Sequence, residues 1–146
     1  MSDLVLKRFA ELTTTELYGI LQLRSQVFVV EQDCVFLDLD GVDTLEGTLH
    51  AFFPGQGRTM ADTHGAELGK SLMPLAYARV LPPDFADGPA AEPGARSIGR
   101  VVTDPAVRGG GWGRRLVADL VEAFPGEPLT LNAQSHLERF YSGFGF

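Results

Sequence analysis

Leu4, Val5, Leu6 and Phe9 form a short apolar run that predicts a first strand over 4–9. Thr13-Thr14-Thr15-Glu16 follows and offers a capping box: a threonine hydroxyl accepts a first-turn N–H while Glu16 reaches back. Leu17, Ile20, Leu21, Val27 and Phe28 then recur at helical spacing, which predicts a helix running to about Val29. Residues 31–46 are acidic, contain an Asp40-Gly41 turn and read as loop. A second strand is expected over 48–53, stopped by Pro54-Gly55, and residues 54–71 read as an extended connection of Gly, polar and small residues. Further strands are expected over 74–81, ended by Pro82-Pro83, and over 97–103, ended by Asp104-Pro105. After Gly109-Gly110-Gly111-Trp112-Gly113 comes a helix with Leu116, Val117, Leu120, Val121 and Phe124 on its apolar side, ended by Pro125-Gly126. A short strand over 129–132 and a short helix over 135–141 complete the chain. The order β-α-β-β-β-α-β-α predicts an α+β fold, a mixed α/β sandwich. Neither Gly- and Pro-rich loop separates pieces that would fold alone, so one domain over 1–146 is expected.

Charge changes this picture more than composition does. The 146 residues are 45% hydrophobic and 21% charged, an ordinary globular balance that excludes disorder. The net charge of −7 argues against non-specific binding to nucleic acid or anionic membrane. It is unevenly placed. The first fifty residues carry nine acids and three bases, whereas residues 96–146 carry five acids and six bases. Glu31, Asp33, Asp38, Asp40, Asp43 and Glu46 occur with no Lys or Arg between them, while Arg108, Arg114 and Arg115 flank the glycine turn. The acidic stretch suits a cation and the basic turn suits phosphate; a solvated loop with ordinary surface arginines is the plain alternative. Cys34 is the single cysteine, which excludes an internal disulfide and a thiolate metal cluster. No apolar run approaches the roughly 18 residues of a membrane span, and the first residues lack the order of a signal peptide. A cytoplasmic protein is expected.

The glycine turn is the most informative segment. A Val101-Val102 strand leads through it into a helix, and free N–H groups at a helix start bind phosphate well. A nucleoside-triphosphate loop is excluded at this turn because it has no Gly-Lys-Ser/Thr ending. A dinucleotide fingerprint fails because Arg114 stands where its last glycine belongs.

Arg108, Gly111 and Gly113 meet Arg-x-x-Gly-x-Gly, and the segment resembles the pyrophosphate loop of the coenzyme A-dependent GNAT N-acetyltransferases. The last residues resemble the second signature of that superfamily, Phe-Tyr-x-x-x-Gly-Phe, through Phe140, Tyr141, Gly145 and Phe146. Arg24, Val27-Phe28-Val29-Val30-Glu31-Gln32, Cys34, Phe36, the spaced Asp38, Asp40 and Asp43, and Thr48-Leu49-His50 resemble its ElaA-like branch. That likeness spans the chain from about Tyr18 to Phe146. Two departures accompany it: residues 54–71 look like an insertion in a tighter hairpin, and the family normally continues through further strands beyond Gly-Phe.

The resemblance implies a GNAT fold, with a mostly antiparallel sheet flanked by helices, and acetyl transfer from acetyl-CoA to a primary amine of a small molecule or peptide. It implies that Val101, Val102 and Thr103 hold the pantetheine arm. Arg108, Gly109, Gly110, Gly111, Trp112, Gly113 and Arg114 are expected around the pyrophosphate. Gln134 stands where many relatives place an asparagine against pantetheine. Tyr141 is the implied general acid for the departing thiolate. Glu31 is the first candidate base, or else a helix-end partner for Arg24; His50 and His136 come second. Phe28, Asp38, Asp40 and His50 are the expected acceptor site, with Asp43 beside them, and Cys34 reads as a core residue. No metal is expected, because the spaced aspartates lack the twelfth-position Glu and flanking helices of an EF-hand. A monomer or homodimer is expected, the latter if a partner strand completes the sheet. The competing readings are an acyl-homoserine-lactone synthase-like acyltransferase and a non-catalytic CoA-binding module.

Overall fold

The computed structural model describes residues 3–33, 37–85 and 94–131. Five strands form one sheet in the order β1 (Val5–Arg8), β2 (Leu49–Phe53), β5 (Ala76–Val80), β6 (Arg96–Thr103) and β7 (Leu129–Leu131). Every pairing is antiparallel except β6 with β7, which is parallel. Helix α1 (Thr14–Arg24) covers one face and α2 (Trp112–Ala123) the other. This is the expected mixed α/β sandwich with a mostly antiparallel sheet.

Strand alternation divides the core in two. Phe52 and Tyr77 meet Ile20, Leu23, Val27 and Phe28 on the α1 side. Ala51, Phe53, Ala76, Ala78 and Val80 meet Leu116 and Leu120 on the α2 side. The central strand β5 is buried at all five positions because both of its faces are covered. The capping box forms as read: Thr13 Oγ1 accepts the Glu16 N–H at 3.0 Å and Glu16 Oε1 accepts the Thr13 N–H at 2.9 Å.

Two elements differ from expectation. Beyond Arg24 the first helix continues as a π-helical segment, Ser25–Glu31, rather than an α-helix ending near Val29. Residues 54–71 are not a plain connection. They hold a hairpin of β3 (Thr59–Ala61) and β4 (Glu67–Lys70), too short and too rich in Gly and polar residues to signal strands. Arg58, just before β3, ties the hairpin to Asp104 at 3.0 Å.

Gly19 sits in the middle of α1, where glycine costs about 1 kcal/mol relative to alanine. A Cβ there would fall 1.9 Å from the Leu72 carbonyl oxygen, so the chain before β5 passes directly against the helix. Gly19→Ala is therefore expected to lower stability by about 1–3 kcal/mol despite its better helix propensity. A urea midpoint that rises instead would show that the contact yields freely.

Candidate active site

The site begins with a fault in the β5–β6 ladder. Tyr77 pairs with Val102 and Arg79 with Gly99, so Ala78 alone faces both Arg100 and Val101. This is a β-bulge, and Arg100 carries it at φ +52°, a conformation that non-glycine residues seldom adopt. On the other edge of β6, pairing with β7 covers Arg96–Ile98. From the bulge onward, Val101, Val102 and Thr103 of β6 face a cleft.

A single turn, Pro105–Val107, and then the glycine turn connect β6 to α2. Gly111 is the N-cap of α2 at φ +81°, and no side chain caps the helix there. The first intrahelical bond runs from the Arg115 N–H to the Gly111 carbonyl at 3.0 Å. The N–H groups of Trp112 and Gly113 precede it and have no intrahelical acceptor. The first turn carries no acid to balance the positive end of the helix dipole and instead carries Arg114 and Arg115. Arg115 is engaged beside the turn, lying over the Phe53 ring at 4.9 Å and near the Asp119 carboxylate at 3.6 Å. This end of α2 is arranged for an external anion.

Cleft and turn form one cavity of about 570 Å³. Val101, Val102 and Thr103 line one wall; Arg108, Gly109, Gly111, Trp112, Gly113 and Arg114 line another. Gly110 is turned out of this lining, and a Cβ on it would meet the Trp112 ring. The π-helical segment closes the remaining side with Val27, Glu31 and Gln32, its wider turn ending in a Gln32 N–H to Val27 carbonyl bond of 2.8 Å. Glu31 forms an ion pair with Arg108 and not with Arg24. Gln134, His136 and Tyr141 lie outside the described residues, as does Cys34.

The acidic stretch behaves differently from expectation. Asp38, Asp40 and Asp43 are not among the cleft-lining residues; they hold three arginines brought together from α1, β5 and β6. Arg24 is fully buried and reaches Asp38 at 3.1 Å and Asp43 at 2.8 Å. Arg79 reaches Asp40 at 2.9 Å and Asp43 at 3.2 Å. Arg100 reaches Asp38 at 2.9 Å and Asp40 at 3.3 Å. Burial alone would raise the Asp40 carboxyl, but hydrogen bonds from Arg79 and the Val42 N–H, with the charges of Arg79 and Arg100, hold it below the usual carboxylate range. These aspartates are internal partners, so the expected acidic acceptor surface is replaced by an ion-pair network. Phe28 is likewise core, packed with Phe52 and Tyr77. Arg79-Val80-Leu81 and Ile98-Gly99-Arg100-Val101 also resemble the ElaA-like branch, but sequence pattern assigns no role to Arg79, Arg100 or Asp104.

His50 is also internal. It is 1% exposed, its Nδ1 lies 2.7 Å from the Tyr77 hydroxyl and its Nε2 2.9 Å from the Asp43 carbonyl. A carbonyl can only accept, so Nε2 carries the proton and Nδ1 accepts from Tyr77. Burial lowers the His50 pKa from 6.5, opposed by the Asp43 carbonyl and charge and aided by Arg24 and Arg79. Its neutral form therefore belongs to the folded state. As pH falls through 6.5 the unfolded chain takes up a proton that folded His50 refuses, so stability is lost downward from that point. Chemical denaturation at pH 7.5 and 5.5 is expected to show this loss, and His50→Gln to remove the His50 share of it. An equal slope in both proteins would contradict the assignment.

Residues 88–146 match the model of the acetyltransferase (GNAT) domain. Protein ElaA of Escherichia coli K12 is 37% identical over 141 residues, which span 94% of this chain and 78% of that protein. The chain belongs to the ElaA-like family of the GNAT superfamily. The crystal structure of Escherichia coli ElaA matches with a TM-score of 0.74 at 32% identity, covering 99% of this chain and 86% of that one. An acyl-CoA N-acyltransferase from Pseudomonas aeruginosa matches with a TM-score of 0.77 at 35% identity, covering 100% and 88%. Family and fold together make this ElaA-like protein a member of the acyltransferases. Among the described residues, no three His, Cys, Asp or Glu side chains are grouped to hold a metal ion, and no helix is long and apolar enough to cross a membrane.

Proposed function

We propose that this ElaA-like protein transfers the acetyl group of acetyl-CoA to a primary amine of a small molecule or peptide by direct attack. The observation that carries the reading is the joining of Val101–Thr103 of β6 and the uncapped start of α2 in one cleft. A strand edge offers N–H and C=O groups in a row, which suits the two amides of a pantetheine arm. A helix start flanked by arginines suits a pyrophosphate. A cleft of about 570 Å³ is of the size that takes a small-molecule group.

Acetyl-CoA, when bound, supplies an acyl group activated as a thioester. The chain's own residues do the rest. Backbone groups of Val101, Val102 and Thr103 orient the arm and offer an N–H to the acyl oxygen, an interaction far stronger in a dry cleft than in water. N–H groups of Gly109 and of Gly111 to Arg114 hold the phosphates. In this reading Arg108 and Glu31 divide their loyalties: the guanidinium turns to phosphate, and the carboxylate takes the proton that an amine must lose before it attacks. Gln134 adds an amide contact to the pantetheine. Tyr141 protonates the leaving thiolate.

Acetyl transfer to a panel of amines, read as free thiol released, tests the reading. Tyr141→Phe is expected to lower kcat and leave the KM for acetyl-CoA unchanged. Full activity in that variant would remove the general-acid role. Comparing acetyl-CoA with long-chain acyl donors separates this reading from a synthase of acyl-homoserine-lactone type, which would favour the long donor.

A further inference from the structure

The strained residue of the bulge is also held by several charge-assisted hydrogen bonds. Arg100 leaves the β5 ladder at φ +52°. Its Nε donates to Asp38 Oδ1 at 2.9 Å, and one terminal nitrogen donates to the Asp38 carbonyl and to Asp40 Oδ2, both at 3.3 Å. Asp38 is gripped from behind by Arg24 of α1, through its carboxylate at 3.1 Å and its carbonyl at 2.6 Å. Asp40 is gripped by both terminal nitrogens of Arg79 on β5, at 2.9 and 3.1 Å. The side chain of Arg100 is therefore tied to a helix and to the neighbouring strand at once. Val101, the residue that follows Arg100 in the bulge, lines the cleft.

A bulge can swivel about the two residues that oppose one, since the ladder no longer fixes them. Here a bidentate-capable guanidinium, anchored on two carboxylates that are themselves anchored, removes that freedom. A fold needing only stability at this place could use apolar packing, which often serves at least as well as buried ion pairs. What apolar packing does not supply is one fixed rotation of a peptide.

We propose that Asp38 and Arg100 are positioning residues: their ion pair sets the bulge in the rotation that aims the Arg100–Val101 peptide at the acyl oxygen in the cleft. The inference rests on the acyl-CoA reading, and it makes the acidic loop a support for the reacting centre in place of a substrate surface.

The test uses acetyl-CoA labelled with ¹³C at the carbonyl and its infrared stretch when bound. The whole protein is expected to lower the stretch relative to free acetyl-CoA, the sign of a hydrogen-bonded, polarised carbonyl. Asp38→Asn and Arg100→Gln are expected to bind unacylated CoA as the parent does, because the glycine turn is untouched. Both should return the stretch toward its free value and lower kcat by about 10- to 100-fold with KM for acetyl-CoA unchanged. Arg100→Lys, which keeps the charge, should restore part of the shift. A full shift and full kcat in the folded Asn and Gln variants overturns the proposal. So does loss of CoA affinity or of folding in both, which would make the pair purely structural. Absence of CoA binding by the unsubstituted protein would overturn the cofactor reading itself, and the clamp with it.

Discussion

Gly111→Glu is expected to abolish detectable CoA binding while leaving a folded protein. Gly111 holds φ +81° at the N-cap of α2, where any side chain is strained by about 1–2 kcal/mol. Space is not the obstacle, because nothing lies within 4 Å of a Cβ built there. The new carboxylate would enter the cleft mouth and satisfy the helix start itself, so it both occupies and repels the phosphate position. An affinity loss of at least about 100-fold follows from losing charge-assisted contacts to a pyrophosphate. Gly111→Asn separates strain from charge: asparagine tolerates positive φ and carries no charge, so it should keep most of the affinity. Differential scanning fluorimetry with and without CoA reads both variants. Equal CoA stabilisation in the Glu variant and the parent would place the phosphates elsewhere.

Arg24→Met is expected to cost about 3–5 kcal/mol of folding stability. The substitution roughly preserves volume, and the Arg24 site is fully buried. Removing the guanidinium takes the Nε and terminal-nitrogen bonds from Asp38 and the 2.8 Å bond from Asp43, which leaves two nearly buried carboxylates short of their partners. A domain of this size has about 5–15 kcal/mol in total, so the variant would stand near its unfolding threshold at ordinary temperature. Urea denaturation measures it. A loss under about 1 kcal/mol would mean that Arg79 and Arg100 take over both aspartates.

Much of this fold is written in local pattern. Thr13 and Glu16 announce the helix start in four consecutive letters, and the cap they form is the one the spacing describes. Gly111 and its neighbours are readable for the same reason: a strand, a glycine turn and an apolar helix are contiguous. The bulge is less so: Gly99 stands beside it, but a lone glycine in a strand marks a bulge no more than a close backbone approach. Asp38, Asp40 and Asp43 mislead for a related reason. They look like one unpaired acidic face along the chain, yet their partners lie far away in sequence, Arg100 being 62 residues from Asp38. Nothing in a charge count shows that β5, β6 and α1 will deliver three guanidinium groups to one loop. His50 is similar: a histidine in a strand looks available until Tyr77 and the Asp43 carbonyl claim both of its nitrogens. Asp38, Asp40 and Asp43 are thus spent on arginines of the same chain, and the cleft takes its character from backbone N–H groups and arginines.

On the proposed function, one cleft reads both the pantetheine arm and the phosphates of an acyl-CoA. Calorimetric titration with CoA, set against pantetheine, which lacks the phosphates, tests it most directly. CoA is expected to bind saturably at one site per chain, at least about 100-fold tighter than pantetheine and more weakly as salt rises. Equal affinity for the two ligands, or no heat with CoA, would contradict it.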